Sequence, residues 1–323
     1  MITGPMAAPL VSIMVPTYNH VGFIGAALDS ALAQTYPNIE VVIADDGSTD
    51  GTMEIVQSYA AKYADRIVAL PSAVNSGLSG VIPNCNRAFR ACRGKYLCVL
   101  EGDDLYLPEK IARQVAWMEE DDRRVVCLHD FEIFDSVTGA HVANFTDKNR
   151  LSTGVGAEDF VSRRVDYGTV SRMVRASVVP AHGSDLRLRV VADWLFICEC
   201  LAAGGVYGHV DGVLARYRLH PYNITRMAQL DQVRFEDQLT TLALLQARYP
   251  HLTPACREGR AETLFWHAWS HLKQGEQTPA RRLAMAAVRE KLSIRRLGLA
   301  AVVLLPKRPA QRLVKWYRHA TAD

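Results

Sequence analysis

The hydrophobic positions of the chain keep two rhythms. Short apolar runs at 11–15, 40–44, 66–70, 96–100 and 125–129 read as buried strands, with amphipathic stretches between them. Within 22–34, Phe23, Ala27, Leu28 and Ala31 fall at helical spacing; 52–63, 84–92 and the segment from Pro108 to about Glu120 predict further helices. This alternation predicts an α/β fold, a mostly parallel sheet flanked by helices. Beyond the fifth strand the rhythm loosens into a turn at 136–139, a helix over 191–203 and strands at 206–210 and 213–219. From about Met227 glycine is sparse and the pattern turns helical, over 230–249, 256–274 and 279–291. An α/β domain over 9–222 and a C-terminal helical region over 227–323 follow.

Composition adds bounds. A chain of 323 residues, 49% hydrophobic and 22% charged, fits about two globular domains. The net charge of +3 gives no support for a nucleic-acid partner. Its distribution is uneven: from Arg281 onward eleven Lys and Arg face two acids, so an acidic body carries a basic tail. Seven scattered cysteines without a Cys-x-x-Cys pair fit a reduced, cytoplasmic setting. The first 15 residues lack the basic start of a signal peptide, and the apolar run at 297–305 is far short of the roughly 20 residues that span a bilayer.

In an open parallel sheet, ligands sit outside the carboxyl ends of the strands. The residues following those ends are Pro16-Thr17-Tyr18-Asn19, Asp45-Asp46-Gly47-Ser48 and Glu101-Gly102-Asp103-Asp104. The second segment also reads as a plain Asx turn. Three acids within four residues after an apolar strand repel one another unless a cation or donors neutralise them. Mg²⁺ or Mn²⁺ suits such a pair of carboxylates, with substrate phosphates completing the shell. No glycine-rich phosphate loop of the familiar kinds is present.

The runs VSIMVPTYNH, SALAQTYPNIEVVIADDGSTDGT, NSGLSGVIPNCNRAFRACRGKYLCVLEGDD and VVADW resemble, in order and spacing, family 2 glycosyltransferases of the GT-A fold, including bacterial surface-glycan enzymes. The resemblance covers roughly residues 9–218. It implies an inverting, metal-dependent transferase that moves a sugar from a nucleoside diphosphate sugar to an acceptor hydroxyl, and makes 9–222 the catalytic domain. Carried over, Tyr18 contacts the base face and Asp45 accepts from its imide edge, while Pro16, Thr17, Asn19 and Asp46 shape the pocket. UDP and dTDP donors both satisfy that edge. Asn75 and Gly77 match the loop that approaches the donor. Asp103 lies near ribose or metal and Asp104 on the metal, Mn²⁺ or Mg²⁺, with Glu101 where the family usually has Asp. Asp193 matches the catalytic base, preceded by Ala192 where many relatives have an acid, and His220 matches a residue that reaches the metal or diphosphate. A noncatalytic nucleotide-sugar-binding or scaffold subunit is the alternative.

In the tail, Arg295, Arg296, Lys307, Arg308, Arg312, Lys315 and Arg318 surround the apolar run at 297–305, joined by Trp316 and Tyr317. Such a segment fits either an anionic membrane surface on the inner face of the cell membrane, bringing a lipid-linked saccharide acceptor within reach, or a basic helix packed on the catalytic domain.

Overall fold

The structure, a computed structural model, describes residues 8–147, 153–163, 165, 167–306 and 309. Lys307, Arg308, Arg312, Lys315, Trp316, Tyr317 and Arg318 of the basic tail lie outside them. The chain forms two compact units, one of residues 1–160 and 165–230, the other of residues 161–164 and 231–323.

In the first unit the elements run β1 (Val11–Thr17), α1 (Ile24–Leu32), β2 (Ile39–Asp45), α2 (Thr52–Lys62), β3 (Ile67–Leu70), α3 (Val81–Ala91), β4 (Tyr96–Val99) and β5 (Leu105–Tyr106). There follow α4 (Lys110–Glu119), β6 (Arg124–Asp135), β7 (His141–Asn144), β8 (Gly154–Val155), α5 (Gly156–Arg163), β9 (Met173–Arg175), α6 (Ala192–Ala202) and β10 (Val206–Leu219). The sheet order is β3-β2-β1-β4-β9-β6-β10-β5, with β7 beside β6 and β8 beside β10. Strands β3, β2, β1 and β4 are parallel, as are β6 and β10; β9 runs antiparallel between the two groups.

Both faces of the parallel half are covered, which is why its strands are nearly continuous apolar runs. Val11, Ile13 and Val15 point with Val41 and Ile43 into a core shared with Ile24 and Leu28 of α1, Val56 of α2 and Ile111 of α4. Met14, Val42, Ala44 and Val99 point the other way, onto Ala88 of α3. The two strands expected at 206–210 and 213–219 are a single one. β10 stays paired with β6 across a bulge between Val210 and Val213, where Gly212 takes a φ of +93°.

The second unit contains α7 (Asp231–Arg248), α8 (Thr253–Gln274), α9 (Gln277–Glu290) and α10 (Ile294–Leu304). Leu264, Ala268 and Leu272 of α8 meet Ala280, Ala284 and Ala287 of α9 and Leu299 and Val303 of α10 in its core. The last helix was not anticipated from periodicity.

Candidate functional site

The carboxyl ends of β1, β2 and β4 leave the sheet side by side, and hydrogen bonds lace their loops together. Asn19, with φ +51°, donates its backbone N–H to the Ser48 hydroxyl at 2.9 Å, and its side-chain oxygen accepts from Thr49 N at 2.9 Å. The backbone of Gly102 donates to Pro16 O at 3.2 Å, drawing the β4 loop alongside β1. Gly102 has to be glycine there: a Cβ would sit 2.6 Å from Thr17 Oγ1 and 2.7 Å from His20 Nδ1.

Asp45 is buried, and its carboxylate is engaged by its own turn, accepting from Gly47 N (3.0 Å), Ser48 N (2.9 Å) and the Ser48 hydroxyl. Asp46 is buried beside it and accepts at its backbone oxygen (2.9 Å) and at Oδ2 (3.0 Å) from the Asn75 amide; burial raises its pKa. The Asn75 side-chain oxygen in turn accepts from Gly77 N at 2.8 Å, and Gly77 needs its φ of +61° to make that turn. Arg87, which sequence reading did not single out, ties these loops down by donating to Asp45 O at 3.3 Å and Leu70 O at 2.7 Å. Tyr18 stands 41% exposed at the rim, open to stack on a ligand.

The acids after β4 are distributed among different partners. Asp103 Oδ2 lies 2.8 Å from His220 Nε2 and 3.9 Å from His20 Nε2. Burial pushes its pKa up, yet the His220 hydrogen bond and the two rings outweigh that and hold it below the usual value. His220 Nδ1 accepts from Tyr222 N at 3.2 Å, which assigns the ring proton to Nε2 and makes His220 a donor to Asp103. Asp104, 1% exposed, accepts from Arg218 N at 2.8 Å through Oδ1, while Oδ2 is buried without a hydrogen-bond partner. Glu101 Oε2 is buried and unpartnered as well. Burial and then neighbouring acids raise the Asp104 pKa far above the carboxylate range and lift Glu101 to about 7. Two acceptor oxygens out of water and without donors are what a hard divalent cation takes. Among the described residues, no group of three or more His, Cys, Asp or Glu is arranged to hold a metal ion.

Asp193 sits in the first turn of α6, clamped from three sides. Trp194 N donates to Oδ1 at 2.8 Å, the Thr169 hydroxyl to Oδ2 at 3.2 Å, and the Tyr167 hydroxyl to the Asp193 carbonyl at 2.8 Å. The buried Arg172 is close enough to Tyr167, Asp193 and Glu101 to interact with the charge of each. On α3, the thiol of Cys85 is pushed up to about 12, first by burial and then by Glu101, Asp193 and Asp46. One thiol is thus within electrostatic reach of an acid from β2's loop, one from β4's and one from α6, segments far apart in the chain. Arg172, Arg218, His20 and Thr169 carry no local sequence signal; only His20 and Arg218 fell within segments already noted.

Residues 12–172 match the family described as Glycosyl transferase family 2. The chain is 33% identical over 138 residues to the putative glycosyltransferase EpsE of Bacillus subtilis, covering 42% of this chain and 49% of that one. It is 38% identical over 129 residues to an uncharacterized glycosyltransferase of Rickettsia prowazekii, covering 40% and 38% respectively. The match thus spans half or less of the length of these curated relatives. Among solved structures, residues 1–349 of TarS from S. aureus superpose with a TM-score of 0.66 at 18% identity, over 96% of this chain and 92% of that one. The mannosyltransferase PcManGT from Pyrobaculum calidifontis, solved with GDP-Man and Mn²⁺, gives 0.59 at 18% identity, over 96% and 84%. At such identity the likeness is one of fold, the GT-A architecture of an α/β sheet flanked by helices. Through residues 12–172, the chain belongs to glycosyl transferase family 2.

Proposed function

We propose that the chain is an inverting glycosyltransferase that uses a divalent metal ion to move a sugar from a nucleoside diphosphate sugar to an acceptor hydroxyl, in the synthesis of a surface saccharide. The observation that carries this reading is that Asp46, Glu101 and Asp193 lie close enough together to act on the one thiol of Cys85, with Asp104 Oδ2 buried and unpartnered next to Glu101 and Asp103. TarS has been solved with UDP-GlcNAc and PcManGT with GDP-Man, which supports a nucleotide-sugar donor here.

In this reading Tyr18 stacks on the base and the Asp45 turn meets its imide edge, which suits UDP or dTDP. Pro16, Thr17, Asn19, Asp46, Asn75 and Gly77 wall the donor pocket. Asp103 and Asp104 hold Mn²⁺ or Mg²⁺, whose charge stabilises the departing diphosphate. His220 serves that site by orienting Asp103 through its Nε2–H, a donor that also suits a diphosphate oxygen; to ligate the metal, Nε2 would first have to give up that proton. Asp193 takes the proton of the acceptor hydroxyl as it attacks the anomeric carbon from the face opposite the leaving group, which inverts the configuration. The basic tail holds the protein against an anionic membrane surface, where a lipid-linked acceptor is presented.

Two substitutions test the assignment. Asp193→Asn retains donor affinity and lowers transfer by about a hundredfold or more; turnover like wild type would move the base elsewhere, and donor binding by the native chain without turnover toward any acceptor would make it a noncatalytic subunit. Asp104→Ala removes Mn²⁺-dependent binding of the nucleoside diphosphate in calorimetric titration; unchanged affinity would refute the metal assignment.

A further inference from the structure

Helix α10 carries little that is polar. Its eleven residues, IRRLGLAAVVL, include only two polar side chains, and both pair with acids of α8, one buried and one half exposed. Arg296 is 2% exposed and pairs with Glu258 and Glu262 of α8. Arg295 pairs with Glu262 and lies over the rings of Phe265 and Trp266, 4.4 and 5.7 Å from their centroids. Leu299, Ala300 and Val303 complete the buried face. Besides the partly exposed Arg295 and Gly298, what remains outside is Ile294, Leu297, Ala301 and Leu304, spaced three, four and three apart along one side of the helix. Ile294 is 91% exposed, Leu304 53% and Leu297 45%, with Leu292 just before the helix at 67%.

A helix on the surface of a water-soluble unit keeps a polar stripe toward solvent, and one that is apolar on both sides needs a second apolar environment. Its length of eleven residues excludes spanning a bilayer. The chain that follows identifies the environment by charge: Lys307, Arg308, Arg312, Lys315 and Arg318 come without an acid before Asp323, together with Trp316 and Tyr317. We infer that the outward stripe of α10 is the apolar element that enters the interface of an anionic phospholipid bilayer, lying parallel to the surface, with Ile294, Leu297 and Leu304 in the acyl boundary. This rests on the membrane reading of the tail for the choice of lipid. It does not depend on sugar transfer.

The test is partitioning of the full chain onto vesicles of phosphatidylcholine with about one-third phosphatidylglycerol, read by flotation without donor or acceptor, so that failure of the transferase assignment leaves it untouched. The double variant Ile294→Ser/Leu297→Ser, both positions exposed and outside the buried core, keeps the wild-type melting temperature and lowers partitioning about tenfold or more. A chain ending at Pro306 binds more weakly than the full chain but still more tightly than the same truncation carrying the two serines. Equal partitioning of the serine variant and wild type would overturn the proposal, and if the truncated chain alone lost binding, the basic tail would be the sole anchor. A concentration-dependent dimer in sedimentation velocity without lipid, abolished by the two serines, would also overturn it, since a second copy would then cover the stripe.

Discussion

Thr169 and Tyr167 decide where Asp193 points. Tyr167 fixes the backbone at the start of α6 and Thr169 donates to the carboxylate itself, so this segment ahead of β9 presets the carboxylate's orientation. A carboxylate held by fixed donors is oriented by them, and losing one loosens that orientation. Thr169→Val keeps the shape and deletes the donor. If Asp193 is the base, kcat falls by about five- to thirtyfold, the equivalent of about 1–2 kcal/mol for a hydrogen bond to a charged group, while KM for the donor stays put. A kcat unchanged in the valine variant, or a fall in kcat matched by an equal loss of folding stability, is the outcome that would remove Thr169 from the proton transfer.

At the scale of elements, the sequence was most readable where burial is symmetric. The parallel strands β1, β2 and β4 are apolar on both faces, and their positions followed from continuous runs. The exception inside them is informative: Ser12 and Glu40 sit opposite each other in the β1–β2 register, and Ser12 donates to Glu40 at 2.6 Å. Arg93 adds its backbone N–H at 2.7 Å and its guanidinium, also at 2.7 Å. Burial pushes the Glu40 pKa up, but these donors outweigh it and leave the group below its ordinary value. Its folded pKa being depressed, the stabilisation is complete above the unfolded-state pKa and disappears as pH falls through the folded one. Glu40→Gln should therefore cost about 1–3 kcal/mol in urea unfolding at pH 7 and progressively less toward pH 3; a cost independent of pH would show that the charge is not what stabilises. Legibility ended where tertiary context decides. The two residues that interrupt β10 looked like a strand break, yet pairing resumes on the same neighbour after the bulge. Strand β9 is three residues long and carries no pattern of its own. Most of helix α10 is one short apolar run, which by itself does not tell a helix from a strand, and Arg172 gains its meaning only from acids that folding brings beside it.

At the scale of the molecule, every residue assigned to donor, metal or proton transfer, from Pro16 to His220, belongs to the first compact unit. The second unit has a separate apolar core built around α8, α9 and α10. A ligand that binds the folded form alone stabilises by mass action, about 2.7 kcal/mol at a hundred times its dissociation constant. For a unit of this size that is worth on the order of 5–10 °C. Two units with separate cores do not share this gain equally. Scanning calorimetry of the intact chain should resolve two transitions, and nucleoside diphosphate with Mn²⁺ should raise one of them by that amount while the other stays within about 1 °C. Adding a chelator should return the shifted transition toward its starting point, because it withdraws the cation proposed for Asp103 and Asp104 and leaves Asp104 Oδ2 unpartnered. If both transitions rose together, the site would draw stability from the second unit as well, and the assignment of donor binding to the first unit alone would fail.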